Sequence, residues 1–250
     1  MRMDRINEME QYILQNQMIS LNDLASHFSV SMNTIRRDIR ELITHGKVRK
    51  VYGGVAAVET VPPLPLTERT LKSCAEKQLI GQLAASIVQN NSTIFLDSGS
   101  TTPCILPYLS EKDNVTVVTY SLNIMYEAAK YPSLNIYALG GMFNHITASY
   151  INQTNELLDI IHPTAFFMAA SAVSLECGLC NNTYDEFIIK ERITRQNNNI
   201  FLMADHTKFD SSATYTFCRF SNLSAVITDA EPPKHYLDAM QNSGIKLYCP

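Results

Sequence analysis

Two clusters of side chains in this 250-residue sequence are equipped for chemistry. The first is Asn33, Thr34, Arg36, Arg37 and Arg40, introduced by Ser31 and closed by Leu42. Arginine grips phosphate oxygens and reads guanine edges through paired donors, and asparagine reads adenine. The second is the run Asp97-Ser98-Gly99-Ser100-Thr101-Thr102. Glycine lets backbone approach a ligand closely, Ser and Thr add hydroxyl donors, and a helix starting at Pro103 would add free amides. A phosphate group needs all three. A hydroxyl-rich cap that meets only water would have the same composition.

The first cluster must be held by a helix. Ile35, Ile39 and Leu42 recur at helical spacing and form one apolar stripe, and Ser31 is a good N-cap. A solvated basic surface helix would look the same in isolation. Its neighbours argue otherwise. Ile6, Met9, Ile13 and Leu14 predict an amphipathic helix from Asp4 to about Asn16. Ser20 and Asp23 resemble a capping box with Asp in place of Glu, and Leu24, Ala25 and Phe28 give the buried side of a short second helix. The turn Ser29-Val30 then leads to Ser31, completing a helix-turn-helix pattern. Gly46 suits a left-handed position after the basic helix. The stretch 47–55 alternates basic and apolar residues around Gly53-Gly54, which predicts a hairpin wing whose Lys47, Arg49 and Lys50 hold a phosphate backbone or enter the minor groove. A three-helix cap without a ligand is the plainer alternative. The cap, the spacing, the Arg-rich helix and the basic wing all point instead to double-stranded DNA.

The net charge of −4 argues against nucleic acid until its distribution is considered. Residues 1–57 carry eight Lys/Arg against six Asp/Glu, and residues 31–50 carry six against two. The acidic excess lies in the remainder, an asymmetry expected of a nucleic-acid-binding segment on a larger body. The N-terminus shows no apolar leader and no long apolar run follows, so the expectation is a cytoplasmic protein with no membrane span. The six Cys then read as reduced thiols. Cys177-x-x-Cys180 is a lone pair and the six His form no cluster, so no metal or cofactor is expected; His206 beside Asp205 is the one His to watch.

Residues 58–67 contain Pro62, Pro63 and Pro65 and predict a stiff, extended linker between a first domain, 1–57, and a second, 68–250. Leu71, Ala75, Leu79, Leu83 and Ile87 predict one long helix over 68–89. Short apolar strands are expected at Thr93–Asp97, Val115–Thr119, Leu134–Leu139, Ala165–Ala170, Asn199–Ala204 and Ala225–Thr228. Helices are expected near Pro103–Leu109, Leu122–Lys130, Gln153–Ile161, Tyr184–Gln196 and Lys234–Asn242. Alternation of this kind predicts an α/β fold, a Rossmann-like open parallel sheet, whose ligands bind at the carboxyl ends of the strands. The turns there are 97–102, Tyr120-Ser121, Gly140-Gly141 and Asp205 to Lys208. Paired glycines suggest close approach of ligand or backbone. Lys208 can neutralise an anion, and Lys190 is a second candidate, although a lone helix Lys is more often solvated.

At this point the sequence resembles a known family. Ser31-x-x-Thr34-Ile35-Arg36-Arg37-Asp38-Ile39, followed by Gly46-x-x-x-Lys50-x-Tyr52-Gly53-Gly54, is similar to the DNA-binding signature of the DeoR family of bacterial transcriptional regulators. Arg37 and Asp38 are expected to form a local pair. Glu76-Lys77, the 97–102 loop, the 117–122 run, Leu139-Gly140-Gly141, Gly178-Leu179, Lys190 and Ala204-Asp205-x-x-Lys208-Phe209 resemble that family's C-terminal sensor domain, which is similar to isomerases of ribose 5-phosphate and glucosamine 6-phosphate. The resemblance implies a phosphorylated sugar that weakens DNA binding, with phosphate held by Ser98 to Thr102 and Lys208 facing the ligand. There are departures. Tyr120 replaces a common Asn, Ser171 stands where the family often has Asp, and Asn144-His145 replaces a usual Arg. The 120–123 and 205–209 runs look more like the deoxyribonucleoside-operon repressor branch, a lead toward a pentose or deoxypentose phosphate.

The expected function is therefore a regulator, a repressor of a carbohydrate or nucleoside catabolic operon. It would bind an operator as a homodimer or homotetramer and respond to a phosphorylated sugar through residues that include Asp97, Tyr120, Ser121, Gly140, Gly141, Ser171, Lys190, Asp205 and Lys208. Two alternatives stay open. An isomerase needs a positioned acid–base pair, and none assembles by spacing from Asp97, Asp205 and Glu176. A second domain that only oligomerises would also fit the departures.

Overall fold

The computed structural model describes residues 2–16, 18–44, 48–51, 54–57, 66–152 and 157–250. The chain divides into two units, Met1–Pro63 with Ala213–Tyr215, and Leu64–Ser212 with Thr216–Pro250.

The first unit runs α1 (Arg2–Asn16), β1 (Met18–Ser20), α2 (Leu21–His27), α3 (Met32–Thr44), β2 (Val48–Val51) and β3 (Gly54–Ala57). The apolar stripes meet in one core: Ile6, Met9 and Ile13 from α1, Leu24 from α2, Ile35, Ile39 and Leu42 from α3, with Val48 and Val55 from the hairpin. Ser20 caps α2 by accepting the Asp23 amide at 3.1 Å, and Ser31 caps α3 by accepting the Thr34 amide at 3.2 Å. The antiparallel β2–β3 hairpin supplies the wing. A third strand, β1, was not expected; it pairs with β3. Gly54 makes this possible, because a Cβ there would lie 2.3 Å from the Ile19 carbonyl oxygen. The expected local Arg37–Asp38 pair is present, Arg37 Nε lying 3.8 Å from Asp38 Oδ1, and Arg5 Nη2 on α1 reaches the other oxygen at 2.7 Å. The Arg5 bond is the charge-assisted contact that ties α1 to α3. Gly46, Lys47, Tyr52, Gly53 and linker residues 58–65 lie outside the described residues.

The second unit opens with α4 (Leu66–Leu71) and α5 (Cys74–Ile87), then β4 (Thr93–Leu96), a 3-10 turn (Thr102–Ile105), α6 (Leu106–Leu109), β5 (Thr116–Thr119), α7 (Leu122–Ala128), β6 (Asn135–Ala138), β7 (Met142–Asn144) and β8 (Ser149–Ile151). It continues with α8 (Leu157–Ile160), β9 (Ala165–Ala169), β10 (Ala172–Ser174), β11 (Gly178–Asn181), α9 (Tyr184–Gln196), β12 (Ile200–Met203), β13 (Tyr215–Cys218), β14 (Ala225–Ile227), α10 (Lys234–Ser243) and β15 (Lys246–Tyr248). Seven strands form one parallel sheet in the order β15-β14-β12-β9-β4-β5-β6. The six expected strands are all in it. Their residues face two cores: Phe95, Val118, Phe166 and Leu202 on one side, Ile94, Leu96, Val117 and Phe167 on the other. Burial on both faces is why β4, β5, β9, β12 and β14 read as continuous apolar runs; β6, at the sheet edge, is mostly exposed. The strands β7, β8, β10, β11, β13 and β15 were not anticipated.

The single helix expected over 68–89 is two. Ser73 turns the chain at φ 51° between α4 and α5, and the first of them already takes in Leu66 and Thr67 from the expected linker. The buried Lys77 ammonium donates to the carbonyls of Arg69 and Lys72, satisfying the carbonyl end that the break exposes. The expected stripe is also offset. Lys77, Ile80, Gly81, Ala84 and Ala85 are the buried residues of α5, while Leu71 is 80% exposed. Small residues win the inward positions because α5 lies directly on the turn after β4: a Cβ on Gly81 would sit 2.2 Å from the Cys104 carbonyl oxygen.

Candidate functional site

On α3 the buried seam fixes what faces outward. Asn33, Arg36, Arg37 and Arg40 are exposed and fall at i, i+3, i+4 and i+7, so they share one side of the helix. The Ser31 and Thr34 hydroxyls are 2.9 Å apart and are engaged at the helix start, so these two residues position the helix. Arg49 and Lys50 lie on β2 of the wing, and Lys47 lies outside the described residues.

In the second unit, β4, β5 and β6 run to one side of the sheet and β9, β12, β14 and β15 to the other. The chain direction reverses between β4 and β9, where open parallel sheets bind ligands beyond their carboxyl ends. Asp97 sits in that gap and is completely buried. Its Oδ2 lies 2.7 Å from Lys190 Nζ and accepts the Ala169 amide at 2.9 Å, which ties the ends of the two strands together. Its Oδ1 accepts the Ser98 amide at 2.8 Å and the Tyr120 hydroxyl, which in turn accepts from Ser98 Oγ at 3.0 Å. Lys190 also donates to the Ala169 carbonyl at 2.8 Å and lies over the Phe217 ring. Burial pushes the Asp97 carboxyl above its ordinary pKa while the Lys190 charge pulls it back. Burial, and then the Asp97 charge, hold the Tyr120 phenol well above its ordinary value.

This network separates the expected effector residues into two layers. Asp97, Ser98, Tyr120 and Lys190 form the interior floor, all of them at most 2% exposed. Thr102 Oγ1 donates to the Asp97 carbonyl at 2.7 Å, and Ser121 is buried at the start of α7 with its hydroxyl facing the Ile124 amide. Above them, Gly99 adopts φ 149°, and a Cβ there would press on Ala169. The hydroxyls of Ser100 and Thr101 make no hydrogen bond among the described residues. Gly141 answers the choice between ligand and backbone: its Cβ would lie 2.3 Å from the Ile151 carbonyl oxygen, so it accommodates the β7–β8 hairpin. Gly140 is exposed with open space around it. Ser171 is half-buried at the end of β9, its amide donating to the Cys180 carbonyl.

The turn after β12 completes the rim. Asp205 is buried, accepts from the Thr207 amide and hydroxyl, and lies 3.8 Å from Lys208 Nζ. Lys208 is about one-third exposed. Lys77 at the start of α5 is within electrostatic reach of both, and burial lowers its pKa. His206, singled out in the sequence, pairs at 2.6 Å with Asp229, which raises its pKa. Sequence reasoning missed Asn181 and Glu186. The signal was legible, since Thr183-x-x-Glu186 is a capping box: Thr183 Oγ1 accepts the Glu186 amide and donates to its carboxylate at 2.9 Å. The six cysteines are free thiols, and among the described residues no group of His, Cys, Asp and Glu is arranged to hold a metal. Among those residues, no helix is long and apolar enough to cross a membrane.

Comparison with known proteins places both units. Residues 5–61 match the DeoR-like helix-turn-helix domain, and residues 72–230 match the DeoR C terminal sensor domain. The chain is 36% identical over 229 residues to the HTH-type transcriptional regulator IolR of Bacillus subtilis (strain 168), covering 91% of each sequence. It is 29% identical to the HTH-type transcriptional regulator GolR of Listeria innocua, over 98% of this chain and 97% of that one. It is 28% identical to the glycerol-3-phosphate regulon repressor of Escherichia coli (strain K12), over 97% of each. With a helix-turn-helix unit carrying an exposed Arg/Asn face and a seven-stranded parallel-sheet unit, matched along nearly its whole length by such regulators, the chain belongs to the DeoR family of bacterial transcriptional regulators.

Proposed function

We propose that this regulator is a repressor of a carbohydrate or nucleoside catabolic operon and that a phosphorylated sugar releases it from DNA. The observation that carries the reading is the pairing of two surfaces in one chain. One is the exposed Asn33, Arg36, Arg37 and Arg40 side of α3. The other is the Ser100-Thr101 loop with Lys208 at the reversal point of the sheet. The first suits a major groove, with the wing residues Arg49 and Lys50 on flanking phosphate. The second offers hydroxyls and a cation to a phosphate group, above a floor that is already saturated. One relative is named as repressor of a glycerol-3-phosphate regulon, which agrees with a phosphorylated effector. The operator would be palindromic or repeated, read by a homodimer or homotetramer. An isomerase reading has less support. Asp97 is locked between Lys190 and Tyr120, and Asp205 holds Thr207, so neither stands ready as a base.

The test is fluorescence anisotropy with DNA from the region upstream of the neighbouring genes, titrated with salt and then with sugar phosphates. Binding that weakens steeply with salt is expected, and no binding at low salt overturns the reading. Arg36→Ala or Arg37→Ala is expected to cost about 1–3 kcal/mol of operator affinity and flatten sequence preference where the side chain reads a base. A loss equal for all sequences marks a phosphate clamp instead. Ser100→Ala with Thr101→Val is expected to leave operator affinity unchanged and to blunt release by the sugar phosphate. An undiminished release removes the loop from the effector site, and release by no sugar phosphate at all points to a second unit that only oligomerises.

A further inference from the structure

Asn181 is the last residue of β11 and is completely buried. Its Nδ2 donates to the Thr183 carbonyl at 2.7 Å, which fixes the amide plane. Its Oδ1 is buried and has no hydrogen-bond partner among the described residues. A buried amide oxygen that accepts nothing is disfavoured in a folded protein, and such an atom calls for an explanation.

Its position supplies one. Cys180, the preceding residue, accepts the Ser171 amide at 2.9 Å, so Asn181 lies beside the segment that leaves β9. That segment meets the effector floor directly: the Ala169 amide donates to Asp97 and its carbonyl accepts from Lys190. Two residues after Asn181, Thr183 caps α9, which carries Glu186 at 6% exposure and Lys190. Glu186 lies close enough for its charge to act on Tyr120. Asn181 is thus joined through the β10–β11 pairing to the segment that leaves β9, and through Thr183 to the helix that carries Lys190. The floor acceptors, Asp97 and the Ala169 carbonyl, are filled by the protein, whereas Asn181 Oδ1 is not.

We infer that Asn181 is a specificity-determining residue whose side-chain carbonyl accepts a hydrogen bond from a hydroxyl group of the effector. This rests on the sugar-phosphate reading above and deepens it. The ligand must carry a donor on its carbon skeleton as well as a phosphate, so the class is a polyhydroxylated phosphate ester. The phosphate is recognised by the Ser100-Thr101 loop and Lys208, and the hydroxyl by an acceptor that the fold leaves unpaired. A site built around one buried acceptor rejects ligands that cannot fill it, because the acceptor stays unpaired in the wrong complex.

The experiment is calorimetric titration of the full-length protein and of Asn181→Ala with ribose 5-phosphate, glucosamine 6-phosphate, glycerol 3-phosphate and inorganic phosphate. Wild type is expected to bind at least one ester more tightly than inorganic phosphate. Asn181→Ala is expected to weaken that ester about tenfold or more, the scale of one lost hydrogen bond, while inorganic phosphate binds as before. Unchanged ester affinity in the variant overturns the assignment. An equal loss for ester and inorganic phosphate also overturns it, because that marks a damaged fold. Wild type that binds inorganic phosphate but no ester more tightly overturns this inference and leaves the phosphate loop standing. Wild type that binds none of the four overturns both. Operator affinity serves as the folding control, and if Asn181→Ala does not fold, Asn181→Ser, too short to reach the same position, takes its place.

Discussion

Lys190→Met is expected to destabilise the second unit by about 3–5 kcal/mol, the largest effect of any single substitution considered. The reason is the state in which it leaves Asp97. Lys190 Nζ and Asp97 Oδ2 are 2.7 Å apart, with side chains 3% and 0% exposed. An ion pair taken out of water contributes little net stability, but removing one partner strands the other charge. Met fills similar volume, so the loss is electrostatic. Denaturant unfolding with the midpoint and slope recorded separately measures it. A loss under about 1 kcal/mol would show that the remaining donors, the Ser98 and Ala169 amides and the Tyr120 hydroxyl, hold the carboxylate unaided. The companion Asp97→Asn/Lys190→Met double variant should recover much of the loss, because the stranded charge is gone.

The same variant carries a pH prediction. Burial already raises the Asp97 pKa, and Lys190 is the main group opposing that rise. Without Lys190 the folded-state pKa moves higher still above the unfolded value of about 3.9. A carboxyl of this kind binds its proton more tightly when folded, so its destabilising effect is complete above the folded-state pKa and fades as pH falls through it. The gap between Lys190→Met and wild type should therefore narrow on mild acidification. A gap that is constant between pH 7 and 5 would show that lost packing, not stranded charge, causes it.

Gly81→Ala is expected to be the second large effect, with a sign opposite to that of most helix glycines. In an exposed helix the change gains about 1 kcal/mol of propensity. Here the new Cβ would lie 2.2 Å from the Cys104 carbonyl oxygen, 2.4 Å from its carbon and 2.9 Å from the Ile105 nitrogen. All three are backbone atoms, so no side chain can swing aside, and α5 must lift from the turn that follows the 97–102 loop. Overpacking costs about 1–3 kcal/mol, and more where backbone must move. A net loss of about 2 kcal/mol is expected, lowering the melting temperature by several degrees. A blunted effector response should accompany it, because Cys104 follows Thr101 by three residues. Gly140→Ala is the control, since nothing lies within 4 Å of a Cβ there. Equal melting temperatures for the two variants would show that α5 yields freely.

How much of this was legible beforehand follows from the range of the interactions involved. The three helices of the first unit come from local spacing and two serine caps, so Ile35, Ile39 and Leu42 and the exposed arginine face could be read from twelve residues. Five of the six expected strands, β4, β5, β9, β12 and β14, were legible because burial on both faces selects uninterrupted apolar runs, while β6 is the exposed edge strand. The strands β1, β7, β10, β11, β13 and β15 are three or four residues long, and only their partners make them strands; Met18-Ile19-Ser20 has no strand pattern until β3 lies alongside. The α5 stripe was misplaced because leucine spacing marks an apolar side, whereas the closest contact in the fold requires the smallest residues.

The sequence by itself determined the helix-turn-helix, the parallel sheet and the turn segments that carry the candidate effector residues, because each depends on residues within a turn or two of one another. It could not sort those residues by role. Asp97 and Lys190 are 93 positions apart and pair at 2.7 Å only because β4 and β9 become neighbours in the sheet. Arg5 and Asp38 meet because α1 packs on α3. Tertiary structure decided that Asp97, Ser98, Tyr120 and Lys190 satisfy one another, whereas the Ser100 and Thr101 hydroxyls and the Asn181 side-chain oxygen have no hydrogen-bond partner among the described residues. Whether a polar atom is available depends on what else reaches it, and that is fixed only when distant strands and helices come together.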